Sequence, residues 1–155
     1  MSKHFRFSIY ALLTFFPVVL YAAGDDVSFP TDTLSILTSV GNVVMLSVEV
    51  ATTEPQLEHG LMFRKELARD HGMIFLLGKP QPVRMWMKNT PIPLDMLFMD
   101  NKGIVLQIVR NTKPESTDII ASASGNVTAV LELSDGVADY YHIATGDNVI
   151  YSAFK

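Results

Sequence analysis

A group of aromatic, charged and amide side chains has the types and spacing expected of a small-ligand site. Trp86 offers a flat apolar platform, and the cationic residues two positions before and after it offer donors to an anionic or hydroxyl-rich ligand. Two polar residues follow directly and would lie at the rim of such a cleft. The candidate ligand-binding residues are Arg64, Arg84, Trp86, Lys88, Asn89, Thr90, Asp95 and Glu132.

The same residues also fit a purely structural arrangement. If Val83–Lys88 and Leu94–Asp100 form an antiparallel pair around Asn89–Pro93, Lys88 stands opposite Asp95. The result is a half-buried ion pair beneath an indole ring, which would hold the proline-containing loop in place. The two prolines of the loop could instead direct the second strand elsewhere in the sheet, so both interpretations stay open.

Glu132 lies between Leu131 and Leu133 in an otherwise apolar segment. Strict alternation of a strand turns it outward, where a solvated carboxylate costs little. An inward carboxylate would need a partner, for which Arg64 and Lys88 are the candidates. We expect the outward orientation from the pattern alone.

An enzymatic role stays open as an alternative, with no catalytic residue identified. A hydrolase would use Asp95 or Glu132 as its base, and it requires a carboxylate with a raised pKa and a second reactive group in one cleft. The sequence contains neither the Gly-x-Ser-x-Gly turn of serine hydrolases nor a glycine-rich phosphate loop.

Metal binding is not expected from the sulfur and imidazole side chains. The chain has no cysteine and eight methionines, of which Met85 and Met87 share one strand face at a spacing of two. Thioethers suit cuprous copper, but methionine is also an ordinary core residue, and we favour the core. His59, His71 and His142 lack metal-type spacing. We therefore expect no metal and no cofactor.

Short strands separated by turns dominate the elements that would position these residues. Val43–Ala51 alternates apolar and polar residues with a period of two, and Thr53 to Gly60 carries the capping signals of a short helix. Turn signals recur about every ten residues. This pattern predicts a mainly β, small single-domain sandwich or barrel, jelly-roll-like, with one or two short helices.

Composition and the amino-terminal segment indicate an exported domain. The chain has 155 residues and a net charge of −4, which makes nucleic-acid binding unexpected. A basic start, an apolar run over Phe7–Leu20 and small residues up to Gly24 are typical of a signal peptide. We predict a signal peptide over 1–24, a linker or edge segment over 25–42 and one β domain over 43–155. The protein would be periplasmic or secreted, with membrane attachment only through an uncleaved signal.

Four segments together resemble domain-of-unknown-function family 192. They are Gly60–Arg64, Gly72–Phe75, Trp86–Met96 and Val130–Leu133, and the later Gly146-Asp147 resembles the closing turn of that family. The resemblance extends from about Val48 to Tyr151. It implies a small, mainly β domain, often exported, and no established activity.

The sequence as a whole favours a non-catalytic module that binds a small ligand, either a saccharide or an anionic envelope component. An envelope hydrolase using Asp95 or Glu132 is one alternative. A structural or assembly role beside an envelope protein is the other.

Overall fold

The computed structural model describes residues 27–154, which fold around one strongly curled β-sheet. The predicted signal peptide lies outside the described residues. In chain order the elements are β1 (Thr31–Leu37), β2 (Val43–Ala51), α1 (Glu54–His59), β3 (His71–Gln81), β4 (Arg84–Met85), β5 (Leu94–Met99), β6 (Val105–Val109), β7 (Ile120–Ala121), β8 (Val127–Ser134), α2 (Val137–Tyr140) and β9 (Asn148–Ile150). No helix within residues 27–154 is long and apolar enough to cross a membrane.

Seven strands form the main sheet in the order β6-β5-β8-β3-β2-β1-β9. All neighbours are antiparallel except β2 and β3. The two edges approach each other, because Val105 donates to the Asp147 carbonyl at 2.9 Å and Val149 donates to the Gly103 carbonyl at 2.8 Å. β4 and β7 form a separate two-stranded ribbon. The predicted mainly β domain is confirmed, as a half-barrel with two short helices.

Two apolar cores cover the two faces of the sheet. The inner core fills the concave side with side chains such as Ile36, Leu46 and Leu131, together with Val137 of α2. The outer core covers the convex side of β3, β5 and β8 with side chains such as Phe75. All six residues of β5 are consequently buried. The central strands therefore show no alternation between core and solvent.

Local sequence signals explain several of these elements. β2 has the predicted bounds, Val43–Ala51. α1 begins with the expected cap, in which the Gln56 side-chain oxygen accepts a hydrogen bond from the Thr53 backbone at 3.1 Å. Thr31–Leu37, predicted to lie in a linker or edge segment, is a sheet strand with Leu34 and Ile36 in the inner core. This segment belongs to the domain, because the side chains of Leu34 and Ile36 pack in the inner core.

The predicted pairing of Val83–Lys88 with Leu94–Asp100 is wrong. β4 pairs with β7, whereas β5 pairs with β6 on one side and β8 on the other. The loop that contains Pro91 and Pro93 carries the chain from the ribbon into the main sheet. The strands on either side of the loop therefore belong to different sheets.

Candidate functional site

Glu132 is buried in the middle of the main sheet and turns towards the outer core. It lies on β8 opposite Met73 of β3 and Met96 of β5, and only 4% of its surface is exposed. The expected outward, solvated orientation is wrong, because the convex face of β8 is covered by the outer core. Alternation still holds along the strand, but neither direction leads to open solvent.

In the described part of the chain, no ion pair involves the Glu132 carboxyl group. Among residues 27–154, neither Arg64 nor Lys88 forms an ion pair with it. Burial alone raises the pKa of Glu132 to about 8. The side chain is therefore mainly a neutral carboxylic acid at pH 7, with one O–H donor and one carbonyl acceptor to offer.

A small hollow reaches this carboxyl group, and we call it the inner hollow. Its volume is about 30 Å³, enough for a group of roughly one or two non-hydrogen atoms. It is bounded by α1 and the loop after it, by Phe75, and by the segment around Trp86. Its lining includes Glu58, His59, Leu61, Met62, Met85, Trp86, Lys88, Thr90 and Glu132. The hollow can therefore admit a single small polar group.

A wider depression lies outside the inner hollow, and we call it the outer groove. It has a volume of about 490 Å³ and is lined by Val27, Pro55, Glu58, His59, Met62, Trp86 and Lys88. Five of these seven residues also line the inner hollow. The two spaces are therefore neighbours that share walls, with Glu132 on the inner side.

Trp86 borders both the groove and the hollow and is partly open to solvent. Its surface is 44% exposed, and the Lys88 ammonium group lies 5.2 Å from the centre of its ring. That distance is within the range of a cation–π interaction. The indole thus supplies an accessible apolar surface beside one positive charge.

Two loops build these walls and are joined by their backbones. Phe63 and Asn89 have positive φ angles of 64° and 56°, which are uncommon for residues other than glycine. The Phe63 amide donates to the Asn89 carbonyl at 2.7 Å, and the Asn89 side-chain amide lies 3.7 Å from the sulfur of Met62. Asn89 therefore connects the loop after α1 to the segment that carries Trp86.

Thr90 and Gly60 fit the site for steric and hydrogen-bonding reasons. Thr90 is only 5% exposed, and its hydroxyl group donates to the Lys88 carbonyl at 3.3 Å. A Cβ atom at Gly60, whose φ is 49°, would lie 3.1 Å from the ring of Phe75. A side chain at this position would press on one wall of the inner hollow.

Asp95 lies on the other face of the sheet. Its two carboxylate oxygens accept hydrogen bonds from the Asn111 amide at 3.1 Å and the Ala138 amide at 3.0 Å. Ala138 belongs to α2, which packs in the inner core. Asp95 is fully buried and fixes the loop at Asn111 and the start of α2. The expected position opposite Lys88 is wrong, since Asp95 faces Leu133 across the strand pair.

The two predicted arginines lie away from the groove. Arg64 forms an ion pair with Glu49 at 2.7 Å and lines a separate surface depression of about 830 Å³. Arg84 is exposed on β4, opposite Ala121. Neither belongs to the lining of the groove or the hollow. Of the three predicted cations, the structure brings only Lys88 together with Trp86 and Glu132.

The contribution of α1 and of the turn that follows it was not predicted from the sequence. Glu58, His59 and Met62 line both spaces, but they stand far from Trp86 in the sequence. The available signal was the motif Gly60–Arg64, which contains Met62 and directly follows Glu58 and His59. The two methionines considered as copper ligands lie in or against the outer core. Met87 is 1% exposed and belongs to this core, and Met85 packs against it. No cluster of three or more His, Asp or Glu side chains suited to a metal occurs in residues 27–154.

The described residues form a small, mainly β domain of half-barrel type. The model of the family DUF192, described as "Uncharacterized ACR", matches residues 35–151. The chain therefore belongs to this family, as the four sequence segments indicated. No curated protein matches the chain.

Two solved structures share the fold. A provisionally assigned transcription regulator from Sinorhizobium meliloti 1021 is 41% identical, with a TM-score of 0.77 over 80% of this chain and 95% of its own. A protein of unknown function from Novosphingobium aromaticivorans DSM 12444 is 34% identical, with a TM-score of 0.74 over 78% of this chain and 85% of its own. These similarities establish the domain type but assign no activity.

Proposed function

We propose that the protein is a non-catalytic module that binds a small ligand in the outer groove and places one ligand group in the inner hollow. The observation that carries this proposal is the position of Trp86, whose partly exposed ring borders both spaces. Concave sites with an apolar platform and few polar groups are typical of ligand binding. The signal-peptide pattern of residues 1–24 supports a periplasmic or secreted location for this module.

The chemistry around Trp86 suits recognition of a ring-shaped ligand. The indole offers apolar contact, while Lys88 and His59 supply polar atoms at the walls. Glu132 at the inner end supplies both a donor and an acceptor in its neutral form. The Phe63–Asn89 hydrogen bond joins the loop after α1 to the segment that carries Trp86 and Lys88, so little ordering of these two walls is needed when a ligand enters.

The single tryptophan of the chain makes this proposal directly testable. Trp86 is the only tryptophan, so its fluorescence reports on the site without interference from other indoles. We would titrate the mature domain with neutral sugars, anionic metabolites and amines. A parallel series would follow the melting temperature, which a ligand of the folded state must raise.

The matched control for this experiment is Arg84→Ala. Arg84 is exposed and lies two residues from Trp86, but it does not line the groove. A ligand should raise the melting temperature of the parent and of Arg84→Ala, but not that of Trp86→Ala. Absence of any response across the panel, or an equal response in Trp86→Ala, would refute the proposal.

The hydrolase alternative loses the carboxylate pair on which it depended. Asp95 and Glu132 lie on opposite faces of the sheet, in the inner and outer cores respectively. Both oxygens of Asp95 are also occupied by backbone amides. They therefore share no cleft, and Glu132 alone supplies an acid without the second group that hydrolysis requires.

A different region of the surface, an exposed apolar patch on β1, β2 and β9, supports the alternative of an assembly role. Leu37, Val43, Met45 and Ile150 are exposed, and the registers of β1, β2 and β9 bring them to one face of the sheet. This apolar patch is separate from the outer groove. A role beside an envelope protein remains a prediction, as does the absence of nucleic-acid binding that the net charge of −4 favours.

A further inference from the structure

The charges around the two spaces discriminate between classes of ligand. An anionic ligand was one of the two classes expected, on the basis of Arg64, Arg84 and Lys88. The structure pairs Arg64 with Glu49 and leaves Arg84 on the ribbon, so only Lys88 reaches the groove. Glu58 borders the same spaces with the opposite charge. The site therefore lacks the cluster of donors that anion recognition uses.

The inner hollow places a second restriction on the ligand. A volume of about 30 Å³ accommodates roughly one oxygen-sized group, and the group must approach the Glu132 carboxyl. A carboxylate or phosphate is too large and would meet two acidic side chains, Glu58 and Glu132, with one lysine, Lys88, to offset them. An ammonium group would have to pass Lys88, which already occupies the cation position over the indole at 5.2 Å.

A hydroxyl group satisfies both restrictions. It is uncharged, occupies about the volume of one water molecule, and can donate and accept one hydrogen bond at the same time. Burial of Glu132 raises its pKa to about 8, so at neutral pH the carboxyl offers the complementary donor and acceptor. Partly exposed Trp86 then meets the apolar face of the ring that carries the hydroxyl.

We infer that the ligand is a neutral polyol of the saccharide class, an inference that rests on the proposed function. The ligand places one hydroxyl group in the inner hollow and its ring against Trp86. Lys88 donates to a second hydroxyl at the mouth of the hollow. Selectivity against uronates and amino sugars follows because Glu58 and Lys88 line the same walls, so either charged sugar meets a side chain of its own sign.

The test uses matched sugars in which one hydroxyl-bearing position is replaced by a charged group. Each of glucose, galactose and mannose is compared with its uronate and its 2-amino sugar by calorimetry and by Trp86 fluorescence. We expect at least one neutral sugar to bind about tenfold more tightly than both of its charged relatives, the loss expected for a group left unpaired in the site.

Two substitutions test the role of the inner hollow. Glu132→Gln keeps a neutral donor and acceptor, so binding of the neutral sugar should stay within about threefold of the parent. Glu132→Leu removes both hydrogen-bonding atoms at similar volume and should weaken binding by about tenfold or more. Thermal melts of both variants establish that each is folded.

The possible outcomes separate this inference from the proposed function. Tighter binding of a uronate or an amino sugar, or binding only of a non-sugar from the wider panel, overturns the saccharide inference and leaves the binding module in place. Equal binding by Glu132→Leu and the parent also overturns the inference. No binding by any compound of either panel overturns both.

Discussion

Asp95 and Glu132 are two buried carboxyl groups on neighbouring strands, and their surroundings are opposite. Asp95 faces Leu133 and Glu132 faces Met96, so the two residues are one register step apart in the β5–β8 pair. Asp95 turns to the inner core and receives two backbone hydrogen bonds. Glu132 turns to the outer core, where its pKa is raised to about 8 by burial alone.

The difference distinguishes a structural carboxylate from a candidate binding group. A buried carboxyl group that accepts hydrogen bonds from backbone amides fixes the segments that supply those donors. Without donors it takes up a proton or needs a partner from outside. Asp95 fixes the Asn111 loop and the start of α2, whereas Glu132 borders a hollow that leads outward.

Among the tests that compare Asp95 with Glu132, the largest expected effect is the pH dependence of stability caused by Glu132. Its pKa is about 8 in the folded protein and 4.5 as the ordinary value. Between pH 4.5 and about 8, the folded state therefore keeps a proton on Glu132 that the unfolded state releases. This contribution to stability is complete below pH 4.5 and is lost as the pH rises to about 8, at most about 5 kcal/mol in all.

The measurement is denaturant unfolding at pH 5, 7 and 9 for the parent and Glu132→Gln. The parent should lose stability relative to Glu132→Gln as the pH rises, because the amide cannot ionise. A constant difference between the two proteins across this range would show that Glu132 is not held neutral by burial.

Removal of the Asp95 carboxylate should have the next largest effect. Asp95→Ala leaves the amides of Asn111 and Ala138 without their acceptor, and we expect a loss of about 3–4 kcal/mol in the free energy of unfolding. Asp135→Ala is the matched control, since Asp135 is exposed close to α2, and it should change stability by less than about 0.5 kcal/mol. Similar values for the two variants in urea unfolding would contradict the structural role of Asp95.

Truncation of Trp86 should affect stability less than it affects binding. Its ring is 44% exposed, so Trp86→Ala should lower the free energy of unfolding by about 1–2 kcal/mol through partial loss of buried area. Lys88→Met serves as a comparison, because it removes the cation over the ring but keeps the apolar stem. A loss for Trp86→Ala as large as that for Asp95→Ala would mean that the indole acts mainly as a core residue.

The smallest effect is expected at the ion pair of Arg64 with Glu49. Both side chains are partly exposed, at 44% and 23%, and such pairs contribute about 0.2–1 kcal/mol. A double-mutant cycle with Arg64→Ala and Glu49→Ala measures this coupling directly. Ligand binding should be unchanged in Arg64→Ala, since the pair lies outside the outer groove.

Local features were predictable from the sequence, while features that depend on distant partners were not. The alternation of β2 and the cap at Thr53 depend only on residues close together in the sequence, and both were found as predicted. β7 consists only of Ile120 and Ala121 and exists because β4 pairs with it. Such a short strand carries no pattern of its own.

The predicted orientation of Glu132 and the predicted partner of Lys88 were both wrong, because each depends on elements that are distant in the sequence. The alternation rule assumes that one face of a strand meets water, but the convex face of β8 carries the outer core. The expected Lys88–Asp95 contact assumed that strands adjacent in sequence pair together. Instead β8, much later in the chain, lies beside β5. The candidate site was therefore predicted in part. The predicted residues that line one hollow are Trp86, Lys88, Thr90 and Glu132, whereas Arg64, Arg84, Asn89 and Asp95 do not line it.

The short last strand has a consequence for the integrity of the whole sheet. β9 spans only Asn148–Ile150, yet it pairs with β1 while the residues around it bond to the segment that leads into β6. Loss of the carboxyl-terminal few residues would uncover hydrogen-bonding groups at two places at once, and exposed strand edges recruit other chains. Proteolytic trimming at this end would therefore favour aggregation far more than the number of residues removed suggests.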